Sequence, residues 1–178
     1  MAEVYNNIFV RGLRGAVGDQ FVIRRTRSGK TIIANKPAFD ENRVFTEAQL
    51  AQQSAFQRAS AYAKAAKKKP LYVERAKARK STSYNMAIAD WFGKPAVLGI
   101  DAGQVIQVRA RDDTRVTRVQ VTLHENGTLL EQGDALQHDD LTWIYTPALD
   151  LSSRPGLQVE AKAFDTAGNS ASMSCPLP

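Results

Sequence analysis

The chain has 178 residues, of which 43% are hydrophobic and 24% are charged, and its formal net charge is +6. These values suit one medium or two small folded domains and exclude wholesale disorder. The longest apolar runs, such as residues 96–100, are far too short to span a bilayer, and the N-terminus has no secretory signal pattern. We therefore expect cytoplasmic synthesis without a signal peptide, followed by retention there or release within a particle or virion.

The charge is divided by position along the chain. Residues 1–98 contain 18 Lys and Arg against 7 Asp and Glu, a net of +11, whereas residues 99–178 contain 6 against 11, a net of −5. A division this sharp indicates two modules with different surfaces and different partners. The basic half favours a polyanion or an acidic protein face, and the acidic half of a neighbouring copy is one such face.

The first part of the chain is predicted to be β structure. Three glycines within residues 12–18 favour tight turns. Residues 21–26 and 31–34 have the composition of strands, and the Ser28-Gly29 turn between them predicts a β-hairpin. Two strands alone are marginally stable in water, so this hairpin needs a third strand, a helix or another subunit.

Three helices are predicted next. Thr46 and Gln49 match a capping box that opens an alanine-rich helix ending near Lys67. Pro70 begins a second short helix at its favoured first position, and Thr82 lies among N-cap residues of a third. Alanines recur at helical spacing along the first helix. Because alanine allows close backbone approach, we expect this helix to pack on a flat surface or a copy of itself.

The third helix is predicted to end at residues 93–95, where both the sign of the charge and the dominant period change. Beyond this point the pattern is all-β. About seven short alternating strands, with an Asn126-Gly127 hairpin turn between two of them, are typical of a β-sandwich. We therefore predict two domains: a basic hairpin-and-helix module over 1–95 and a β-sandwich over 96–178.

The C-terminal module resembles the bacterial immunoglobulin-like domains. The residues that carry this resemblance are 108–113, 116–121 and 161–169, the last of which include the run Asp-Thr-Ala-Gly-Asn before the final strand. The resemblance implies that this module is an all-β immunoglobulin-like sandwich. Together with the predicted hairpin and helices, this gives the expected fold class: an α+β N-terminal module (a β-hairpin plus short helices) followed by an all-β immunoglobulin-like sandwich. The resemblance implies no particular function, because such domains serve as spacers, adhesive units and decorations alike.

The N-terminal module is similar to a group of uncharacterised bacterial and phage-like proteins. Their shared pattern is a glycine-punctuated segment, a short basic hairpin and an Arg-x-x-Thr-x-Ala-Gln sequence that opens a helix. In this chain the pattern occupies residues 12–18, 21–34 and 43–49. The resemblance implies a structural or assembly role.

No residue pattern predicts catalysis, a cofactor or a metal, and we expect no enzyme. The sequence around Gly29 is similar to the end of a phosphate-binding loop, but Arg24 stands where that loop needs a glycine. His124 and His138 lack metal-ligand spacing, and Cys175 is interpreted as a small apolar residue of the last strand. Four aspartates could meet at one end of the sandwich and bind calcium, or they could form only local hydrogen bonds within turns. They are Asp101, Asp112, Asp113 and Asp165.

Basic residues of the N-terminal module give the strongest functional signal. Two hypotheses follow: a non-enzymatic self-assembling subunit of a filament, particle or phage-like assembly, with the sandwich outward, or a sequence-independent nucleic-acid-binding protein. The expected partners are copies of the chain or another assembly protein, with nucleic acid as the alternative. The residues predicted to contact a polyanion or another subunit are Arg11, Arg14, Arg24, Arg25, Arg27, Lys30, Lys64, Lys67, Lys68, Lys69, Arg75, Lys77, Arg79 and Lys80.

Overall fold

A computed structural model of the chain describes residues 2–4, 8–10, 12–26, 28–38, 42–151 and 156–177. It has three parts in chain order: a small N-terminal sheet, three helices and a larger C-terminal sheet. The bounds of the first part are β1 (Ala2–Val4), β2 (Gly15–Val17), β3 (Phe21–Arg25) and β4 (Thr31–Asn35). The helices are α1 (Glu47–Ala66), α2 (Pro70–Ala78) and α3 (Ser83–Phe92).

The N-terminal sheet contains four antiparallel strands in the order β1-β4-β3-β2. The predicted hairpin is confirmed as β3 and β4, with Ile23 opposite Ile33. In its turn Gly29 has a φ of +89°, a backbone conformation that glycine adopts without strain. The additional strands that the hairpin needs come from the same chain, because β1 pairs with β4 and β2 pairs with β3.

The helices begin where their capping residues predict. Thr46 accepts a hydrogen bond from the Gln49 backbone, and the Gln49 side chain accepts one from the Thr46 backbone, so the capping box is formed. Pro70 is at the start of α2, and the Thr82 side chain accepts from Asn85 at the start of α3. Local hydrogen bonding therefore sets these boundaries.

The C-terminal sheet contains seven antiparallel strands in the order β11-β10-β7-β8-β9-β6-β5. Its strands are β5 (Ala96–Ala102), β6 (Ile106–Arg111), β7 (Val116–Glu125), β8 (Thr128–Gln137), β9 (Thr142–Tyr145), β10 (Leu157–Asp165) and β11 (Ser170–Pro176). Most of β8 pairs with β7, and its last residues pair with β9, so β8 joins the two halves. The edge strands β5 and β11 lie beside each other, which nearly closes the sheet.

The hydrophobic core lies inside this sheet. Every second residue of β10 is buried, beginning with Leu157 and continuing with Val159. In β7 the buried residues include Val119, Val121 and Leu123. The alternation confirms the period-2 pattern expected of half-buried strands. Positive φ angles at Asn126 and Gly127 agree with a type I′ turn between β7 and β8.

The predicted fold class is wrong. The chain is not an α+β module of a hairpin and short helices followed by an immunoglobulin-like sandwich. Strand residues outnumber helical residues, the helices lie in the middle of the chain, and the C-terminal strands form one nearly closed sheet. Alternation shows which side chains face inward, but it does not fix strand order or show that β8 continues through both halves. The coarser prediction of a β-sandwich is consistent with the sandwich or barrel-like fold of the structure.

Candidate assembly surface

The N-terminal region, which we define as the described residues from 8 to 58, has almost no core. Ile23 is its single buried side chain among the residues that the structure describes there. Phe9 is 85% exposed, although most large apolar side chains in folded proteins are covered. The large apolar residues exposed in this region are Ile8, Phe9, Leu13, Val17, Phe21, Val44, Phe45, Leu50 and Phe56.

Helix α1 has a covered and an uncovered half. In the covered half, residues 59–66, Ala59, Ala63 and Ala66 are buried, and α3 packs against the helix. The Ser60 hydroxyl there lies 2.5 Å from the Tyr84 hydroxyl. In the uncovered half, residues 47–58, no side chain is buried.

The alanines of α1 therefore lie in two different environments. Its last part packs on a helix of the same chain, and its first part, including Ala48 and Ala51, is exposed. Leu50 and Phe45 occupy the N4 and N′ positions relative to the Thr46 cap, which is the spacing of a hydrophobic staple. Leu50 nevertheless remains 51% exposed, and Phe56 remains 50% exposed.

The basic residues of the hairpin are placed as alternation predicts. Arg14 and Lys30 are exposed, and so are Arg24 and Arg25, which occupy successive positions of β3 and so point to opposite faces. The hairpin does not gather these four charges on one surface. Arg11 and Arg27 of the predicted set lie outside the described residues.

The basic residues of the helices fall into two groups. Arg75 donates to the backbone carbonyls of Asp113 and Thr114, so it fastens α2 to the loop between β6 and β7. The Lys69 ammonium lies 5.7 Å from the centroid of the Tyr62 ring, within the range of a cation–π contact. The others are exposed and form no ion pair within the described residues: Lys64, Lys67, Lys68, Lys77, Arg79 and Lys80.

Two of these lysines line a surface cleft. Lys77 and Lys80 lie with Val73 and Thr82 around an open volume of about 570 Å³ between α2 and the start of α3. The backbone N–H groups at the N-terminus of α3 add positive potential to this cleft.

The four loop aspartates are not brought together as a cation site. Asp101 pairs with Arg109 at 3.8 Å, and Asp112 accepts from the backbone of Thr114 and Arg115. No group of three His, Cys, Asp or Glu side chains among the described residues is arranged to hold a metal. Local turn hydrogen bonding explains Asp112, as the alternative to calcium predicted.

The remaining candidates for chemistry are separated from one another. His124 lies 4.0 Å from Glu160 on neighbouring strands, whereas His138 is exposed after β8. Cys175 is in β11, and its thiol donates to the carbonyl of Pro176.

A buried polar network at the junction of the helices and the C-terminal sheet was not predicted. The Tyr72 hydroxyl donates to Asp90 Oδ2 at 2.5 Å, and both side chains are buried. The Tyr62 hydroxyl lies 2.6 Å from that of Tyr72 and donates to the carbonyl of Thr166 at 3.2 Å. Burial raises the pKa of both tyrosines, so their hydroxyls remain protonated donors at neutral pH.

Asn169 completes this junction. Its side-chain amide donates to the carbonyls of Asp90, Trp91 and Gly93, which are at the C-terminus of α3. It also donates to Asp165 Oδ2 at 2.7 Å. Burial raises the pKa of Asp165, an effect that the Asn169 hydrogen bonds oppose. The run Asp165 to Asn169 carries the resemblance to immunoglobulin-like domains, but no sequence signal predicts that Asn169 contacts α3.

Comparisons with known proteins define no family for this chain. No protein-family model matches it, and no curated protein matches it significantly. One similar solved structure is the crystal structure of an engineered protein, determined at 1.98 Å as a Northeast Structural Genomics Consortium target. It has 23% sequence identity and a TM-score of 0.33 over 45% of this chain and 19% of that chain, so it supports no statement about fold or function.

A membrane-spanning helix is also missing from the described residues. The structure shows none there with the length and apolar character needed to cross a bilayer.

Proposed function

We propose that this chain is a non-enzymatic structural protein that assembles with copies of itself through its N-terminal region. The observation that carries the proposal is the near absence of a core between residues 8 and 58, despite nine exposed large apolar side chains. Apolar surface of this extent on one part of a chain is typical of a protein–protein contact. Each such side chain gains roughly 1.5–3 kcal/mol when it is fully buried.

The distribution of charge supports contacts between unlike parts of neighbouring copies. The first 98 residues have a net charge of +11, and the rest have −5. The basic first 98 residues of one copy against the acidic C-terminal sheet of the next would form a head-to-tail interface, which gives rings when it closes and filaments when it does not. Such a contact weakens as salt is added, because exposed charges are screened over about 8 Å at physiological ionic strength.

The test is the mass of nuclease-treated protein by light scattering after size exclusion, across a concentration series at low and high salt. Assembly is expected at low salt. Phe56→Gln is expected to raise the concentration needed for assembly, whereas Phe92→Gln is the matched control, because Phe92 is 41% exposed but lies in α3, outside both the N-terminal region and the C-terminal sheet. A monodisperse monomer at high concentration and low salt would contradict the proposal.

A second candidate function is sequence-independent binding of nucleic acid. It is favoured by the exposed lysines of the helices, two of which line the cleft beside α3. Counterion release predicts that such binding falls steeply with salt. A monomer that co-purifies with nucleic acid, shown by its absorbance ratio, and that loses it with salt or nuclease would favour this candidate. Lys77→Glu with Lys80→Glu should then weaken binding more than Lys36→Glu, a change outside the cleft.

A further inference from the structure

We propose that the uncovered half of α1, residues 47–58, pairs with the same segment of a second copy in an antiparallel arrangement with two-fold symmetry. This inference rests on the proposed self-assembly and specifies one of its contacts. Its starting point is that α1 continues for about three turns, or about 18 Å, beyond the residues that α3 covers.

The face of α1 that α3 covers continues into the uncovered half. Ala59 begins the buried part, and one to two turns earlier the same face presents Gln52, Ala55 and the edge of Phe56. A helix of this length is marginally stable in water when nothing packs on it. A second helix on this face would cover residues 47–58 of α1, which α3 does not reach, and would bury part of Phe56.

The charges on this segment are complementary to those of an antiparallel copy. Glu47 and Arg58 are its two ionisable residues, and both are exposed. They are separated by three helical turns and about 20°, so they lie along the same edge of the helix. When two segments pair about an axis between Gln52 and Gln53, Glu47 of each copy faces Arg58 of the other. The arrangement therefore forms two ion pairs from one sequence.

The lysines of the covered half exclude the parallel alternative. In a parallel pair, Lys64 and the following lysines 67–69 of both copies would be side by side. In the antiparallel pair, the two Lys64 residues are about 35 Å apart along the helix axes, several Debye lengths at physiological salt. The parallel pair would also place the second helix on the face of residues 59–66 that α3 already occupies.

Cysteine cross-linking tests the geometry in full-length protein with Cys175→Ser. Gln52→Cys, which lies at the two-fold axis, is expected to form a disulfide-linked dimer under mild oxidation. Gln57→Cys is the matched control, because it lies on the far side of the helix. Ala48→Cys should not link to itself but should link to Ala55→Cys when the two variants are mixed. Self-linking of Ala48→Cys, or equal linking at residues 52 and 57, would contradict the antiparallel pair.

Charge exchange tests the ion pairs by a separate measurement. Glu47→Arg or Arg58→Glu alone is expected to raise the dissociation constant of the dimer about tenfold, since each change replaces two attractions with two repulsions. The double variant Glu47→Arg/Arg58→Glu should recover to within about threefold of the parent, because the pairs are restored in reverse. Glu74→Arg on α2 is the control, and far-ultraviolet circular dichroism checks that α1 remains helical.

The outcomes separate this inference from the proposed function. If the parent chain is a monomer under all conditions, both are contradicted before any variant is made. If the parent assembles but the charge changes have no effect and Gln52→Cys does not cross-link, then self-assembly stands and the pairing of α1 is overturned. If the double variant does not recover, the ion pairs are overturned even where the cross-link forms.

Discussion

The N-terminal region and the C-terminal sheet use similar residues in opposite ways. Both contain valine, isoleucine and phenylalanine in strands, but the C-terminal sheet buries fifteen hydrophobic residues in one core, whereas the N-terminal region buries one. The difference is geometric: seven strands that nearly close can enclose side chains, and four strands of three to five residues cannot. The C-terminal sheet therefore has a core of its own, whereas we propose that the N-terminal region is covered by a second copy of the chain.

The largest effect is expected from a truncation in the core. Leu123→Ala removes a side chain with no exposure and should lower the free energy of unfolding by about 2–5 kcal/mol. Phe56→Ala, measured on the monomer at low concentration, should lower it by less than about 0.5 kcal/mol, since the side chain is half exposed. Urea denaturation of both variants gives the comparison, and similar losses would show that the N-terminal region has a core of its own.

A crowded glycine in the C-terminal sheet comes next. A Cβ on Gly133 would lie 2.6 Å from a ring carbon of Tyr145, so Gly133→Ala should cost about 1–3 kcal/mol of unfolding free energy. Gly99→Ala is the control, because its Cβ would meet only the end of the flexible Arg109 side chain. Thermal unfolding should rank Gly133→Ala well below Gly99→Ala in stability, and the reverse order would contradict the packing around Tyr145.

The buried network should matter less than the core but more than a surface contact. Tyr72→Phe removes the hydroxyl that donates to buried Asp90, and we expect a loss of about 1–3 kcal/mol in unfolding free energy. Tyr84→Phe, which removes a partly buried contact with Ser60, is the milder control. Equal losses in the two variants would mean that Asp90 finds another donor.

Removing the N-cap of α1 and that of α3 should have different effects, because the start of α1 is uncovered and α3 is packed. Thr46→Ala and Thr82→Ala each remove a cap worth about 1 kcal/mol. Because no side chain of residues 47–58 is buried, Thr46→Ala should speed amide hydrogen exchange only over these residues. Thr82→Ala should lower the global midpoint of unfolding, since α3 packs on α1 and α2. A global effect of Thr46→Ala would contradict local fraying.

The smallest effect is a dependence on pH. The hydrogen bond from the Tyr145 hydroxyl, aided by the backbone of Ala148 and Leu149, lowers the pKa of Glu131. A lowered pKa in the folded state means that the ionised form adds stability above the ordinary glutamate range, and this stability is lost as pH falls through the lowered value. The gap in unfolding free energy between the parent and Glu131→Gln should therefore shrink on acidification, and a constant gap would exclude this linkage.

Local features of the fold were predictable because neighbouring residues determine them. The β3–β4 hairpin, the Thr46 capping box, the Pro70 start of α2 and the Asn126-Gly127 turn are all confirmed. The fold class was not predictable, because strand order depends on pairings between distant residues such as those of β8 with both β7 and β9. The domain boundary near residue 95 stays a prediction, although contacts such as Tyr62 with Thr166 cross it.

The candidate site was predictable only in part. Charge counting located the basic residues, but it could not show that Arg75 is used internally, because its partners are backbone carbonyls of a loop 38 residues away. The exposed apolar side chains were also missed: a strand pattern identifies Phe21 or Val17 as core, and only the small sheet leaves them uncovered. No sequence pattern predicts that Glu47 and Arg58 pair between two copies, because this pairing depends on which half of α1 is left uncovered by α3.

The sequence by itself determined where the helices and most strands begin, which residues alternate inward and how the charge divides, because these depend on short-range hydrogen bonding and on composition. Only the tertiary structure decided that the C-terminal strands nearly close around one core. It also decided that Asn169 and Tyr62 link the helices to these strands, and that no side chain of the first half of α1 is buried. Each of these features depends on contacts between elements that are distant in sequence, and such contacts are set by the lengths and orientations of the elements in the folded chain.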